Sequence, residues 1–413
     1  MNAITHVAPQ LPPAMDGVGD YCWNLCRHWP EPQPAMKFLA LYGAEQTRQH
    51  WRGAEVRGFE TNAQSLLHEL EAVNAGTVVL HYVSYGFQPK GLPTWLVDGL
   101  EEWRRRKALS TKQRPPVPSR RLITMFHEMY ATSSPLRSPF WVKPWARQII
   151  RRLVRASDLW VTSCDRYFDW LVTEFGAEPE RGKCIPIGSN VPAAMAPHPR
   201  LRPNARLRLV LFGLPNTRLW ALERHHRVMR ALVQADMAGS ILLLGRSNDS
   251  AKQARRLAEF QRGIGGEWQA AFDLPPEDVA EKLAQCDIGF VANEPGILTK
   301  SGVFAALAAN GVVCVVSNRE GGSPRVPFRQ CVLLNDDDPR HFGPLLSQLR
   351  DGAALTQMRE SALSVSRTAL AWEQIASEWQ AHLLPFETEP EPRHDRAGGS
   401  FSTPTMANQE VRR

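Results

Sequence analysis

Asn293-Glu294-Pro295-Gly296-Ile297-Leu298-Thr299-Lys300-Ser301-Gly302 runs directly into the apolar stretch 303–309, then Asn310-Gly311-Val312-Val313. The order reads as loop, helix opening, tight turn and buried strand. Upstream, 287–292 is a short apolar run of strand length, so the loop joins a strand to a helix that leads into another strand. Such a unit requires a parallel sheet with the helix packed on its face. At the helix opening, small polar residues leave backbone N–H groups free, and Lys300 and the helix dipole add positive charge. Thr299, Lys300, Ser301 and Gly302 therefore form a candidate diphosphate cradle. A plainer alternative makes Ser301 an N-cap and Lys300 a solvated side chain. The run is not a Walker loop, because glycine, four residues, glycine and lysine do not occur in that order.

Outward from this stretch the same rhythm continues almost end to end. Strand candidates fall at 4–8, 37–42, 77–82, 121–126, 158–163 and 184–187, and again at 208–212, 240–244, 287–292, 312–317 and 331–334. Amphipathic segments with helical period lie between them. The expected class is α/β, with two doubly wound Rossmann-like domains facing across a cleft, and ligands at the carboxyl ends of the strands. Further loops sit at such ends, in three groups. The first follows strand 4–8 and contains Gly17 and Gly19, whose missing side chains allow close approach of a ligand; a bare tight turn is the alternative. The second pair carries His81 and His127 just past their strands, where a side chain faces the crevice. In the third, Gly213 ends a strand and Arg218 follows in the next helix. No serine–acid set accompanies either histidine, which removes a hydrolase triad.

At 413 residues with 43% hydrophobic content the chain can bury two cores. Pro192, Pro197, Pro199 and Pro203 break the periodicity and mark a linker. The expected organisation is a first domain at 1–192, a linker at 193–204, a second domain at 205–371, a crossover helix at 372–384 and a disordered tail at 385–413. No apolar run is long enough to cross a bilayer and no secretion signal opens the chain, so the cytoplasm is the expected compartment. The seven cysteines do not suggest a disulfide framework. Cys22 and Cys26 lie a helical turn apart with no second ligand pair nearby in sequence, so they read as buried thiols and no metal site is expected.

Taken together, these pieces resemble the GT-B glycosyltransferases, and more narrowly the group 1 (family 4) retaining enzymes. Gly17-Val18-Gly19 with Tyr21, the hinge Ile187-Gly188-Ser189-Asn190-Val191-Pro192 and the helix–Gly–strand 305–313 carry the resemblance, which spans residues 1 to about 384. It implies a nucleotide-sugar donor, UDP- or GDP-linked, as substrate, with no other cofactor and no metal. His127 would lie against the transferred sugar, Arg218 and Lys300 would neutralise the leaving diphosphate, and Gly17 and Gly19 would border donor and acceptor. Two departures stand out. The family's glutamate pair is replaced by Leu298 and Ala306, leaving Glu294 as substitute for the first, and Leu214 stands where an arginine is usual.

Residues 101–156 hold fourteen Lys and Arg against three acids, so the rest of the chain is net negative within a total of +7. With Trp141 and Trp145 beside it, this stretch is expected to rest on an anionic membrane surface and suits a glycan or lipid-linked acceptor in surface polysaccharide or glycolipid synthesis. A solvated surface is the alternative. No nucleic-acid module is present, and the aromatics are not interleaved with the basics. Two competing functions remain open: a nucleotide-sugar epimerase on the same fold, and an inactive GT-B-like binding or scaffold protein.

Overall fold

The computed structural model describes residues 3–11, 17–41, 48–51, 54–110, 120–129, 138–195 and 206–383. The expected tail and the expected linker from 196 onward lie outside the described residues. The first half contains β1 (Ile4–Ala8), α1 (Gly17–Arg27), β2 (Met36–Leu41), β3 (Arg48–Trp51), β4 (Ala54–Phe59), α2 (Ala63–Ala72), β5 (Thr77–Val83), α3 (Ser84–Phe87), α4 (Thr94–Ser110), β6 (Arg121–Glu128), α5 (Ser138–Ala156), β7 (Leu159–Thr162), α6 (Asp165–Phe175) and β8 (Gly182–Cys184). Its strands form one sheet in the order β3-β4-β2-β1-β5-β6-β7-β8, parallel except for the β3–β4 pair.

The second half contains β9 (Leu207–Gly213), α7 (Pro215–Gln234), β10 (Ala238–Gly245), α8 (Ala251–Ile264), β11 (Trp268–Phe272), α9 (Pro276–Ala284), β12 (Ile288–Val291), α10 (Gly302–Ala309), β13 (Val313–Ser317), β14 (Val332–Asn335), α11 (Phe342–Arg350), α12 (Gly352–Arg367) and α13 (Trp372–Leu383). Here the order is β11-β10-β9-β12-β13-β14, parallel throughout. In each sheet the first strand lies between the second and a strand from the later half of the run. That reversal of direction is the topological switch point of a doubly wound sheet. It falls between β1 and β5 in one half, and between β9 and β12 in the other.

Central strands such as Val313-Cys314-Val315-Val316-Ser317 are buried at every position, as a strand covered by helices on both faces must be. Expected strands and observed ones differ mainly at the edges. β3, β4 and β11 were not anticipated, because their residues mix charge, glycine and exposed positions instead of forming an apolar run. β8 lies two residues earlier than the 184–187 expected.

α13 follows the second sheet in sequence but packs on the first. Trp372, Ile375, Trp379 and Leu383 join Tyr21 and Leu25 of α1 and Val79, Ile123 and Val161 of the first sheet in one apolar cluster. Trp379 Nε1 donates to the Tyr21 hydroxyl at 2.8 Å, and Trp372 Nε1 donates to the Ser189 carbonyl at 2.8 Å. Gly188 gives the Trp372 ring its room, since a Cβ there would lie 2.6 Å from it.

Gly17 and Gly19 are not in a loop; both belong to the first turn of α1. A Cβ at Gly19 would lie 2.5 Å from the Gln10 carbonyl oxygen, so the glycine is required for the helix to pass close to the chain leaving β1. Backbone cannot swing aside as a side chain can. Gly19→Ala is accordingly expected to cost about 1–3 kcal/mol, read as a lower midpoint of thermal unfolding. An unchanged midpoint would show that this approach is not a constraint.

Candidate functional site

A cavity of about 380 Å³ lies where the two halves meet. Gly17, Val18 and Tyr21 line it from α1, His127 and Glu128 from the end of β6, Lys300 from just before α10, Gly302 from its first turn, and Trp372 from α13. Its volume is within the range of small-molecule sites, about 300–1,000 Å³. Larger grooves of about 740, 590 and 630 Å³ draw their described lining from one half only. This cavity takes residues from both.

Local sequence explains how each part arrives. Glu294-Pro295 starts a short 3-10 turn, Pro295–Lys300, which stops at Ser301. The Ser301 hydroxyl accepts from the Phe304 N–H at 3.2 Å, so Ser301 is the N-cap of α10. Lys300 thus precedes the cap, and its side chain reaches into the first half. Its Nζ donates to the Tyr167 hydroxyl at 2.9 Å, stands 3.5 Å from Glu128 Oε1 and lies 4.6 Å over the Tyr167 ring. Burial pulls the Lys300 ammonium toward neutrality, but Tyr167 and Glu128 outweigh it and hold the pKa above the ordinary lysine value. The charge is therefore fixed. Thr299 does not line the cavity; its hydroxyl donates to the Ser163 carbonyl at 2.7 Å and its own carbonyl accepts from Ile187 N–H at 3.0 Å, which ties the two halves together.

The remaining candidates stand behind the cavity wall. Gly213, at φ +121°, packs against Val303 in the first turn of α10. Arg218 is 1% exposed, donates to the Gly213 carbonyl at 2.7 Å and to Asp249 at 3.0 Å, and lies 4.8 Å over the Phe272 ring. Its charge is met by Asp249 within the second half. Glu294 is buried, accepting from the Ser317 hydroxyl at 2.6 Å and the Glu320 N–H at 3.3 Å. Leu298 and Ala306, where the resemblance implied glutamates, are both 1% exposed and belong to the apolar core. The acidic run Asp336-Asp337-Asp338 after β14 does not line the cavity, and it is engaged by His341, Arg319 and Arg340 respectively.

His127 and His81 do come together, and sequence reasoning missed the third member of their group. His6 Nδ1 lies 3.0 Å from His81 Nε2, and His81 Nδ1 lies 3.2 Å from His127 Nε2. Burial, then Lys300, lowers the His127 pKa to about 3; burial and the flanking imidazoles push His81 well down too. His127 also meets Tyr21 edge-on, with ring centroids 4.9 Å apart. Cys22 and Cys26 are buried thiols, and the fold brings the ligand atoms of His6, Cys22 and His81 within 4.8 Å of one another.

The basic stretch is less positive than its composition. Arg104 pairs with Asp158, Arg105 and Arg106 with Glu102, Arg120 with Glu71, Arg147 with Glu174, and Arg152 with Asp98 and Glu101. Trp145 is 62% exposed, while the side chain of Trp141 lies outside the described residues. No helix among the described residues is long and apolar enough to cross a membrane.

No protein-family model matches the chain, and no curated protein sequence does. Solved structures do. A sucrose-phosphate synthase from Thermosynechococcus elongatus superposes with a TM-score of 0.66 at 13% identity, over 94% of this chain and 100% of its own. A glycosyltransferase from Rickettsia africae gives 0.61 at 12% identity, over 94% and 99%. WaaG, a glycosyltransferase involved in lipopolysaccharide biosynthesis, gives 0.53 at 12%, over 92% and 99%. At these identities the likeness concerns architecture, and it extends over nearly the whole of each chain. With two switch points, a shared cavity between them and a last helix that crosses back, the chain has the GT-B fold.

Proposed function

We propose that this chain is a glycosyltransferase that moves a sugar from a UDP- or GDP-linked donor to a glycan or lipid-linked acceptor. The observation that carries the reading is convergence: the N-termini of α1 and α10, at Gly17 and Gly302, and the Lys300 ammonium all border one cavity with His127. The positive ends of two helices and a fixed cation suit a diphosphate. In the reaction the C1–O bond to the donor phosphate breaks and negative charge grows on that oxygen. Lys300 and the α10 N–H groups stabilise it where it forms. The acceptor oxygen bonds to C1 on the same face, and its proton passes to the departing phosphate oxygen, which retains the anomeric configuration without a divalent cation. The neighbouring architectures support this reading, since two of those named above are glycosyltransferases.

A panel of UDP- and GDP-sugars, with and without EDTA, tests it by thermal shift and by release of nucleoside diphosphate. At least one donor is expected to raise the unfolding midpoint and to be consumed with EDTA present; at 100 times Kd, binding adds about 2.7 kcal/mol. No shift and no consumption with any donor would sink the proposal. A putative UDP-N-acetylglucosamine 2-epimerase from Listeria monocytogenes shares the architecture with a TM-score of 0.52, so conversion of a donor without acceptor would favour that chemistry instead. Binding without turnover would favour a scaffold role, in keeping with the apolar Leu298 and Ala306.

A further inference from the structure

His6, His81 and His127 sit on the adjacent strands β1, β5 and β6, and each stands two residues further toward the carboxyl edge than the last. His6 pairs with Val79, two before His81, and His81 pairs with Met125, two before His127. A step of two keeps the side chain on the same face of the sheet. The three imidazoles therefore form a diagonal that starts in the core and ends at the cavity. At the inner end the Cys26 Sγ lies 3.2 Å from His6 Nε2; His6 and His81 are fully buried, and His127 is 8% exposed.

Two readings of this cluster compete, a metal site and a hydrogen-bonded chain. Zinc holds imidazole nitrogens at about 2.0–2.1 Å each, so an ion on the line between two of them needs roughly 4 Å. An ion off that line needs the rings to bend toward it. Here the nitrogens are 3.0 and 3.2 Å apart, with ring centroids at 5.3 and 5.5 Å and planes within 24° and 25°. Those separations are a nitrogen–nitrogen hydrogen bond plus one ring radius at either end, so the rings lie end to end. Both nitrogens of His6 and of His81 are already engaged. The geometry is that of hydrogen bonds.

A neutral imidazole carries one donor and one acceptor, which imposes a rule on such a chain. If His6 donates from Nδ1, His81 must accept at Nε2, donate from Nδ1, and so make His127 accept at Nε2. Reversing one reverses all. The three rings must share one tautomer: the Nδ1–H form if the Cys26 thiol at the inner end donates to His6 Nε2, the Nε2–H form if its sulfur accepts from that nitrogen.

We propose that the Cys26 thiol donates to His6 Nε2, and that His6 and His81 are positioning residues that thereby lock His127 into the Nδ1–H tautomer, with that N–H presented to the cavity as a fixed hydrogen-bond donor. The proposal deepens the reading of the cavity as a sugar site and rests on it only for what the donor meets. Around His127 the titratable groups are Lys300, Glu128 and Tyr21, and at the far end Cys22 and Cys26. Buried in this way beside a lysine, an imidazole without the chain would be free to exchange tautomers and to turn its acceptor to a sugar hydroxyl half the time.

Long-range ¹H–¹⁵N correlation spectra of the full chain labelled with ¹⁵N-histidine read each ring's tautomer directly. In the wild-type protein His6, His81 and His127 are expected to share the Nδ1–H form, and His81 and His127 to stay unprotonated from about pH 8 to about pH 5, where an ordinary histidine titrates. Mixed tautomers within the group, the shared Nε2–H form, or ordinary titration of His127 would overturn the proposal without any variant being made. In His81→Phe, His127 is expected to populate both tautomers, and kcat/KM to fall about 10- to 100-fold, the usual effect of removing a partner that orients a functional histidine. Cys26→Ser keeps a donor and is expected to preserve the wild-type tautomer. Turnover of a nucleotide-sugar with discordant tautomers would refute the chain alone, whereas concordant tautomers with no donor bound would refute the sugar site alone.

Discussion

Lys300→Ala is expected to lower kcat/KM for sugar transfer by about 10²–10³-fold, the range for removing one preorganised group that stabilises charge forming in a transition state. The loss should fall mainly on kcat, because the lysine meets more negative charge after the C1–O bond has begun to break than before. Stability should change little. The Lys300 side chain is 17% exposed and its partner Glu128 is 57% exposed, so water replaces the lost ion pair at Glu128. Steady-state kinetics with the donor identified by thermal shift, together with an unfolding midpoint, separates the two effects. Unchanged kcat/KM would mean that the diphosphate lies elsewhere. A large drop in the midpoint would mean instead that the lysine's bonds to Tyr167 and Glu128 serve to hold the halves together.

Asp287→Ala is expected to be the most damaging single change to stability, at about 3–5 kcal/mol. Asp287 stands at the entry to β12 and is 4% exposed. Its Oδ2 accepts from Arg208 N at 2.9 Å and Arg208 Nε at 3.1 Å; its Oδ1 accepts from Arg208 Nη2 at 2.9 Å and Arg359 Nη2 at 3.1 Å. Arg359 is 6% exposed, and its Nε also donates to the Gly311 carbonyl in the turn after α10. Removing the carboxylate leaves the buried Arg359 guanidinium without the counter-charge of Asp287. Denaturant unfolding of Asp287→Ala and of Asp287→Ala/Arg359→Met checks the mechanism. The double variant should recover part of the loss, since it removes the stranded charge as well. No recovery would place the cost in the Arg208 contacts.

How much of this was legible depended on how local each feature is. The start of α10 could be read because an N-cap, a lysine and a glycine followed by an apolar run are decided within one turn. So could the central strands, whose burial on both faces leaves an unbroken apolar run. β4 and β11 could not, because edge and half-exposed strands look like any mixed segment until a neighbour pairs with them. The pairing of Arg218 with Asp249 was hidden for another reason: the partners are 31 residues apart, and no pattern in the sequence links the two loops. His6 is the clearest case. Within β1 it is, with Thr5, one of two polar residues in a buried run, and only the register of β1 on β5 and of β5 on β6 brings it to the other imidazoles. A histidine inside a buried central strand is itself a signal, since it demands two hydrogen-bond partners that the strand cannot supply.

The return of α13 to the first sheet has a consequence for how the protein is made. Ribosomes release the chain from its amino end, and domains generally fold as they emerge. The first sheet is complete once β8 has emerged, but the surface formed by Tyr21, Val79, Ile123 and Val161 waits for Trp372, Ile375 and Trp379. Through the synthesis of the entire second sheet that surface stays open, offered to chaperones and to other nascent chains alike. The amino-terminal half is therefore the first to be translated and among the last to be finished.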